Sequence, residues 1–344
     1  MKEKIGFLAI GQAGGNIGRL LQDKGYAVLF VNTSQEDLDT LDNAKFKYHI
    51  TGGEGCNRDR HKAKQLVIDD FDNIAQEIDN KIKTDIIYCI FSSGGGTGSG
   101  AGPMLMDLLI DDGKTVGAIT IIPSITESVK AQINSYECFT ELTGIESAAG
   151  IFILDNDRAD KMSLNPVFAD AFTAFLDIPD KHKSEKGNID KAEIKEALKA
   201  HGMSIVTTCM EKGLPPLIGT FNDNIFAPIE SDRTIQYISV SSMDDINQVE
   251  IEKVVGIPVD TFMTFNDNMT IIMLSGLSYP KARLDAVLHK IEANKDTIVK
   301  NLNSTRESAM KSNVNFLSVL SNKPAAQPDQ KHKTKRDITS KYLQ

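Results

Sequence analysis

Five glycines fall within the seven residues Gly94–Gly100, inside the string SSGGGTGSGAGP at 92–103. Glycine has no Cβ, so a glycine-dense turn lets an anion approach the backbone N–H groups directly. Thr97 and Ser99 add hydroxyl donors, and the apolar stretch MLMDLLI that follows reads as a helix whose positive end faces the same anion. A second cluster, GQAGGNIG, occupies residues 11–18. Neither string carries the lysine of a P-loop, and glycines at 11, 14, 15 and 18 miss the G-x-G-x-x-G dinucleotide spacing. Phosphate held by main-chain dipoles, with a divalent cation such as Mg2+, is the chemistry these residues suit. One glycine cluster is as readily a mobile turn; two that follow two strands favour a ligand.

Carboxylates at a regular spacing form the other chemical feature. In GNIDKAEIKEAL, residues 187–198, Asp190 and Glu193 stand three apart ahead of a helical pattern. That spacing is a capping box, and the same two carboxylates could polarise a water molecule; on spacing both readings stand. The six histidines have no HxxxH or cysteine neighbour at ligand spacing, so surface or core roles suit them better than a metal site. EIEKVV and HKIEANKD read as solvated helix faces.

The elements that must position these residues are legible from hydrophobic runs. IGFLAI, AVLFVNT, DIIYCIFSS, TVGAITIIP and GIFILDN are continuous and β-branched, as strands of a parallel sheet covered on both faces are. Right-handed crossovers then give a doubly wound sheet with ligand at the strands' carboxyl ends. NPVFADAFTAFLDI predicts a long helix over about 163–180. Beyond Met203, MSIVTTCM, IQYISVS, TFMTF and MTIIMLSG predict a second sheet, and a helix follows over SYPKARLDAVLHKIEANKDTIVKNLNS. The expected class is α/β: a doubly wound domain over 1–163, a central helix and acidic loop over 164–202, and a smaller α+β domain over 203–320. A disordered basic tail is expected over 321–344.

That tail holds six basic and two acidic residues, a net +4, so the rest of the −9 chain carries −13. An acidic body argues against a surface that coats nucleic acid, and Lys331, Lys333, Lys335 and Arg336 concentrate the positive charge in one strip. The strip suits an acidic partner, DNA phosphates or a DNA-bound protein, and equally a solubilising tail. The four cysteines lack CxxC spacing, and the first apolar run is too short for a signal peptide or membrane span. A reduced, cytoplasmic protein is expected.

GGGTGSG at 94–100 resembles the signature of the tubulin/FtsZ superfamily, and GQAGGNIG resembles its first nucleotide loop. NTSQEDL at 32–38, GGEGCNRD at 52–59 and NDR at 156–158 continue the resemblance in order. It implies a GTPase of that fold. By resemblance, Gly11, Gln12, Ala13, Gly14, Gly15 and Asn16 line the α- and β-phosphates, and Gly94, Gly95, Gly96, Thr97 and Gly98 grip the β- and γ-phosphates. Gly53, Glu54, Arg58 and Asp59 would sense the γ-phosphate, with Glu54 or Asp59 holding magnesium through water. Asp157 and Arg158 would lie by the ribose. Asn165 would bond guanine and Phe168 would stack on it, with Phe172 a competing choice; core packing is the other reading of both rings.

GNIDKAEIKEAL is similar to the family's catalytic loop, which enters the nucleotide pocket of the next subunit, so Asn188, Asp190 and Glu193 would complete hydrolysis upon assembly. Glu193 stands where Asp is commoner. With its basic tail, and no apolar-acidic docking peptide, the chain looks most like the TubZ branch, whose filaments move plasmid or phage DNA through a centromere-binding adaptor, TubR. The resemblance thus implies GTP or GDP as ligand, self-association head to tail, an adaptor bound by the tail, indirect contact with DNA, and no membrane. The alternatives are a division or cell-shape polymer of the FtsZ kind, a nucleotide-dependent oxidoreductase, and a non-catalytic scaffold that binds GTP permanently.

Overall fold

Apolar runs of five to eight residues bounded by glycine and polar turns become strands, and a computed structural model describes the result for residues 1–231, 234–266, 268–306 and 342. In chain order the first half contains β1 (Ile5–Ile10), α1 (Gly11–Asp23), β2 (Ala27–Asn32), α2 (Gln35–Asp39), β3 (Phe46–His49), α3 (Arg60–Lys81), β4 (Ile86–Ser92) and α4 (Thr97–Asp111). There follow β5 (Thr115–Ile122), α5 (Val129–Leu142), β6 (Ile151–Asp155), α6 (Lys161–Leu176) and α7 (Ile178–Lys181). The remainder is α8 (Lys191–Lys199), β7 (Met203–Cys209), α9 (Leu214–Asn222), β8 (Tyr237–Ser242), α10 (Gln248–Val255), β9 (Asp260–Phe265), β10 (Thr270–Leu277) and α11 (Lys281–Arg306).

The strands form one sheet in the order β3-β2-β1-β4-β5-β6-β7-β10-β8-β9. From β3 to β7 every pairing is parallel. The chain winds outward from β1 in both directions, so the crevice between β1 and β4 is the topological switch point, where such sheets take ligand. The second half differs from expectation in one respect. Its four strands are present, but they do not make a separate sheet: Met203 and Ser204 of β7 pair with Ile151 and Phe152 of β6, and β10 continues antiparallel from β7.

The predicted long central helix is shorter. It runs from Lys161 to Leu176, capped by the Asp160 carboxylate, and after the break at Asp177 the short α7 begins at Ile178 with Pro179 in its first turn. Behind the sheet, Phe7, Tyr88, Phe152, Phe168, Phe172 and Phe226 form one aromatic cluster, all fully buried. Burying rings of this size contributes about 1.5–3 kcal/mol each, which pins α6 against the sheet. Among the described residues, no helix is long and apolar enough to cross a membrane.

Candidate functional site

Three loops meet at the switch point. The first is the start of α1 after β1, the second the turn Ser93–Gly96 between β4 and α4, and the third the loop 52–59 before α3. Gly11 has φ +69°, and a Cβ there would lie 3.3 Å from the Gly98 amide, so the first two loops touch. A Cβ on Gly96 would come within 2.8 Å of the Arg58 amide, so only glycine lets the third loop close on the second.

The third loop is held in an uncommon shape. Asn57 and Arg58 have φ of 43° and 61°, left-handed values that cost a non-glycine residue about 1 kcal/mol or more. Buried hydrogen bonds impose them. Asn134 on α5, wholly buried, donates Nδ2 to Gly95 O at 2.6 Å and to Arg58 O at 3.0 Å, tying the two loops together. Gly55 N donates to Thr33 O at 2.8 Å, and the hydroxyls of Thr33 and Thr97 lie 2.7 Å apart. The Arg58 guanidinium reaches the Ser128 hydroxyl.

The helix termini explain the site's electrostatics. α3, α5, α6, α8 and α10 each start with a side chain accepting from their first turn, whereas α1 and α4, like α7 and α9, have no such cap. The first-turn N–H groups and positive dipole ends of α1 and α4 therefore point into the crevice without a side-chain acceptor. A phosphate group supplies what they lack. Glu54 and Asp59 are exposed on the third loop beside this cradle, and Asp59 also caps α3 by accepting from Lys62 N at 3.1 Å. Two hard carboxylate oxygens at that place fit Mg2+, which keeps most of its waters.

The structure brings the loops Gly11–Asn16, Gly53–Asp59 and Gly94–Gly98 together and treats the other candidates differently. Phe168 is fully buried, stacked on Phe172 at 5.3 Å and edge-on to Phe152 and Phe226, so no face of the ring is open to a base. The expected guanine stack on Phe168 is corrected to core packing, and Phe172 is equally buried. Asn165, one turn earlier, is partly exposed. Asp157 accepts from Ile125 N at 3.1 Å and from Arg283 Nη2 at 2.9 Å, so it fixes the turn after β5. Arg158 donates to Asn222 O at 2.6 Å, on the wall of a cavity of about 100 Å³ beside α9.

Asn188, Asp190 and Glu193 lie elsewhere. Asp190 Oδ1 accepts from Ala192 N at 2.7 Å and Glu193 N at 2.9 Å, while Glu193 Oε2 accepts from Asp190 N at 2.7 Å, a complete capping box. Asn188 Oδ1 accepts from Ser184 N at 2.8 Å. The α8 helix they introduce is tied to the amino ends of the strands: Lys195 pairs with Asp85, just before β4, and Leu198 O accepts from Gly150 N, just before β6. The phosphate cradle follows the carboxyl end of β4, and a seven-residue strand is about 20 Å long. One molecule therefore carries the glycine-loop cradle and the Asp190 capping box at opposite ends of its parallel strands.

Thr33, Cys56, Ser128, Gln132 and Asn134 were not singled out from sequence. In QINS at 132–135 three of four residues are polar and wholly buried, a burial that their local sequence does not announce, and Gln132 Nε2 donates to Ser124 O at 2.7 Å to hold the adjoining turn.

Residues 4–163 match the GTPase domain of the tubulin/FtsZ family. Over 303 residues the chain is 31% identical to the tubulin-like protein TubZ of Clostridium botulinum C phage, covering 85% of this chain and 84% of that protein. The crystal structure of Clostridium botulinum phage c-st TubZ superposes with a TM-score of 0.78 at 27% identity, covering 86% of this chain and 100% of that one. A GTPγS-form protofilament of TubZ from Bacillus thuringiensis serovar israelensis shares the fold, with a TM-score of 0.73 at 17% identity over 90% of this chain and 95% of that one.

Proposed function

The chain belongs to the tubulin/FtsZ family, and on that premise we propose that it binds GTP in the three-loop cradle, assembles head to tail, and hydrolyses the nucleotide where a second copy completes the site. The observation that carries this reading is the separation of the cradle from Asp190, with the length of β4 between them. Loop motion does not span that distance, whereas a repeated head-to-tail contact brings the α8 end of one copy onto the cradle of the next and generates a filament. The Bacillus relative of the same fold was crystallised as a protofilament, which supports self-assembly as the way to bring two copies together.

In this reading Gly11–Asn16 and Gly94–Gly98 bind phosphate through main-chain amides, and Gly53–Asp59 reports the γ-phosphate through the Gly96 contact. Glu54 and Asp59 would hold Mg2+, which neutralises phosphate charge when bound. Asn165 reaches the base, and Asp157 acts on the ribose side through the turn it fixes. Across the joint, Asp190 and Glu193 polarise the attacking water: its oxygen bonds the γ-phosphorus, the bond to the β–γ bridging oxygen breaks, and a carboxylate takes the proton. Capping engages Asp190 Oδ1, which leaves Oδ2 to face the water. The proposal extends to partition of plasmid or phage DNA in the cytoplasm, with the strip Lys331–Arg336, outside the described residues, contacting a DNA-bound adaptor of the TubR kind.

Light scattering and pelleting with GTP, GDP and GTPγS test the reading together. GTP and GTPγS should each give polymer, the GTPγS polymer should persist, and GDP should give none. Equal polymer without nucleotide would sink it.

A further inference from the structure

Tyr342 is 2% exposed against α3 and α4. Its hydroxyl donates to Asp107 Oδ2 at 3.1 Å and lies 3.4 Å from Pro103 O. Lys64 Nζ donates to the Tyr342 carbonyl at 3.1 Å and stands 5.2 Å from the ring centroid. Lys64 is itself buried and held by Glu141 Oε1 at 2.6 Å. An apolar ring with a bonded polar tip, under a desolvated ammonium, is a built anchor site rather than a chance contact.

We propose that the cleft between α3 and α4 is a docking site for the C-terminal tail of the same chain, with Tyr342 as the anchor. Reach permits it: the 36 residues from Arg306, at the end of α11, extend to about 120 Å, far more than a path back to the same molecule needs. Docking also restricts what precedes it. Arg336 lies six residues before Tyr342 and Lys331 eleven, so a seated anchor keeps Arg336 within about 20 Å of the cleft and the whole basic strip within about 40 Å. The cleft adjoins the phosphate loop through direct contacts. Glu141 also pairs with Arg60 at 2.6 Å, and Arg60 Nη2 donates to Ser99 O at 3.0 Å in the first turn of α4. The docking itself does not depend on the GTP reading.

Hydrogen exchange on the full chain without nucleotide tests the proposal, so its outcome stands apart from any GTPase assay. Tyr342→Ala should speed exchange several-fold in residues 60–69 and 103–111, and Tyr342→Phe, which keeps the ring, should retain most of the protection. Protection independent of protein concentration is the expected result for a tail docked on its own molecule. Equal exchange in the native chain and Tyr342→Ala would overturn the site, and protection lost on dilution would overturn the same-chain assignment in favour of a neighbour's tail.

Discussion

Arg283 on α11 grips Asp155 at the end of β6 with two parallel bonds, Nε to Oδ2 at 2.8 Å and Nη2 to Oδ1 at 3.0 Å, both side chains buried. The same guanidinium reaches Asp157 Oδ2 at 2.9 Å and Pro123 O at 2.8 Å. Pro123 in turn backs the phosphate loop, since a Cβ on Gly94 would lie 3.1 Å from its ring. One cation from the C-terminal half thus fixes the turn that supports the cradle in the N-terminal half.

Arg283→Met should therefore be costly. Removing one partner of a buried pair leaves the other charge unmatched and costs about 3–5 kcal/mol, read as a fall in the urea midpoint. Replacing Asp155 by Asn in the same chain should restore part of the loss, because the stranded carboxylate is gone. An unchanged midpoint in the single variant would show that the pair does not hold the two halves together.

Phe168→Ala separates a core role from a ligand role. A ring stacked on Phe172 and walled by Phe152 and Phe226 leaves a cavity when removed, with a stability loss of about 3–5 kcal/mol. Titration calorimetry on the folded variant should show guanine nucleotide affinity unchanged. Lost affinity with intact stability would return the ring to the base site.

What was legible in sequence follows from how local each signal is. The phosphate loops could be read because glycine density is written in consecutive residues, and the five strands β1, β2, β4, β5 and β6 because they are buried on both faces. β3 escaped, since FKYH is four residues long, half-buried and carries a lysine in its middle. Phe168 misled because an amphipathic stripe does not say which neighbour covers it. The Asn134 tie and the Arg283 grip join residues 39 and 128 positions apart, and no local pattern encodes a partner at that separation. Continuity of the sheet was likewise hidden, because the β6–β7 ladder spans only two residue pairs.

His182 gives the fold an acid-sensitive joint. Its Nδ1 lies 2.7 Å from Ser241 Oγ on β8, and its pKa is pushed below the ordinary 6.5, first by burial and then by Lys181, with Asp177 opposing. A histidine whose folded pKa is lowered binds fewer protons folded than unfolded just below pH 6.5, so stability falls as pH drops through that window. Urea unfolding of the native chain and of His182→Gln between pH 7.5 and 5.5 should show a smaller acid loss in the variant. Parallel losses would mean that His182 charges without penalty.

Asp190→Asn tests the divided site most directly, because the two roles of this carboxylate make different demands. Capping needs an oxygen acceptor for Ala192 N and Glu193 N, and asparagine caps a helix about as well as aspartate. Losing the charge at the helix N-terminus costs only about 0.3–1 kcal/mol, so the variant should fold and assemble with GTP. Water activation needs the negative charge, which asparagine lacks, and phosphate release should fall by about 10²–10⁴-fold. The polymers should then persist like those formed with GTPγS. Glu193→Gln keeps the capping box for the same reason and should also slow turnover if both carboxylates face the water. Full phosphate release from Asp190→Asn polymers would leave Asp190 as a helix cap alone, and the base at the joint would have to come from another residue.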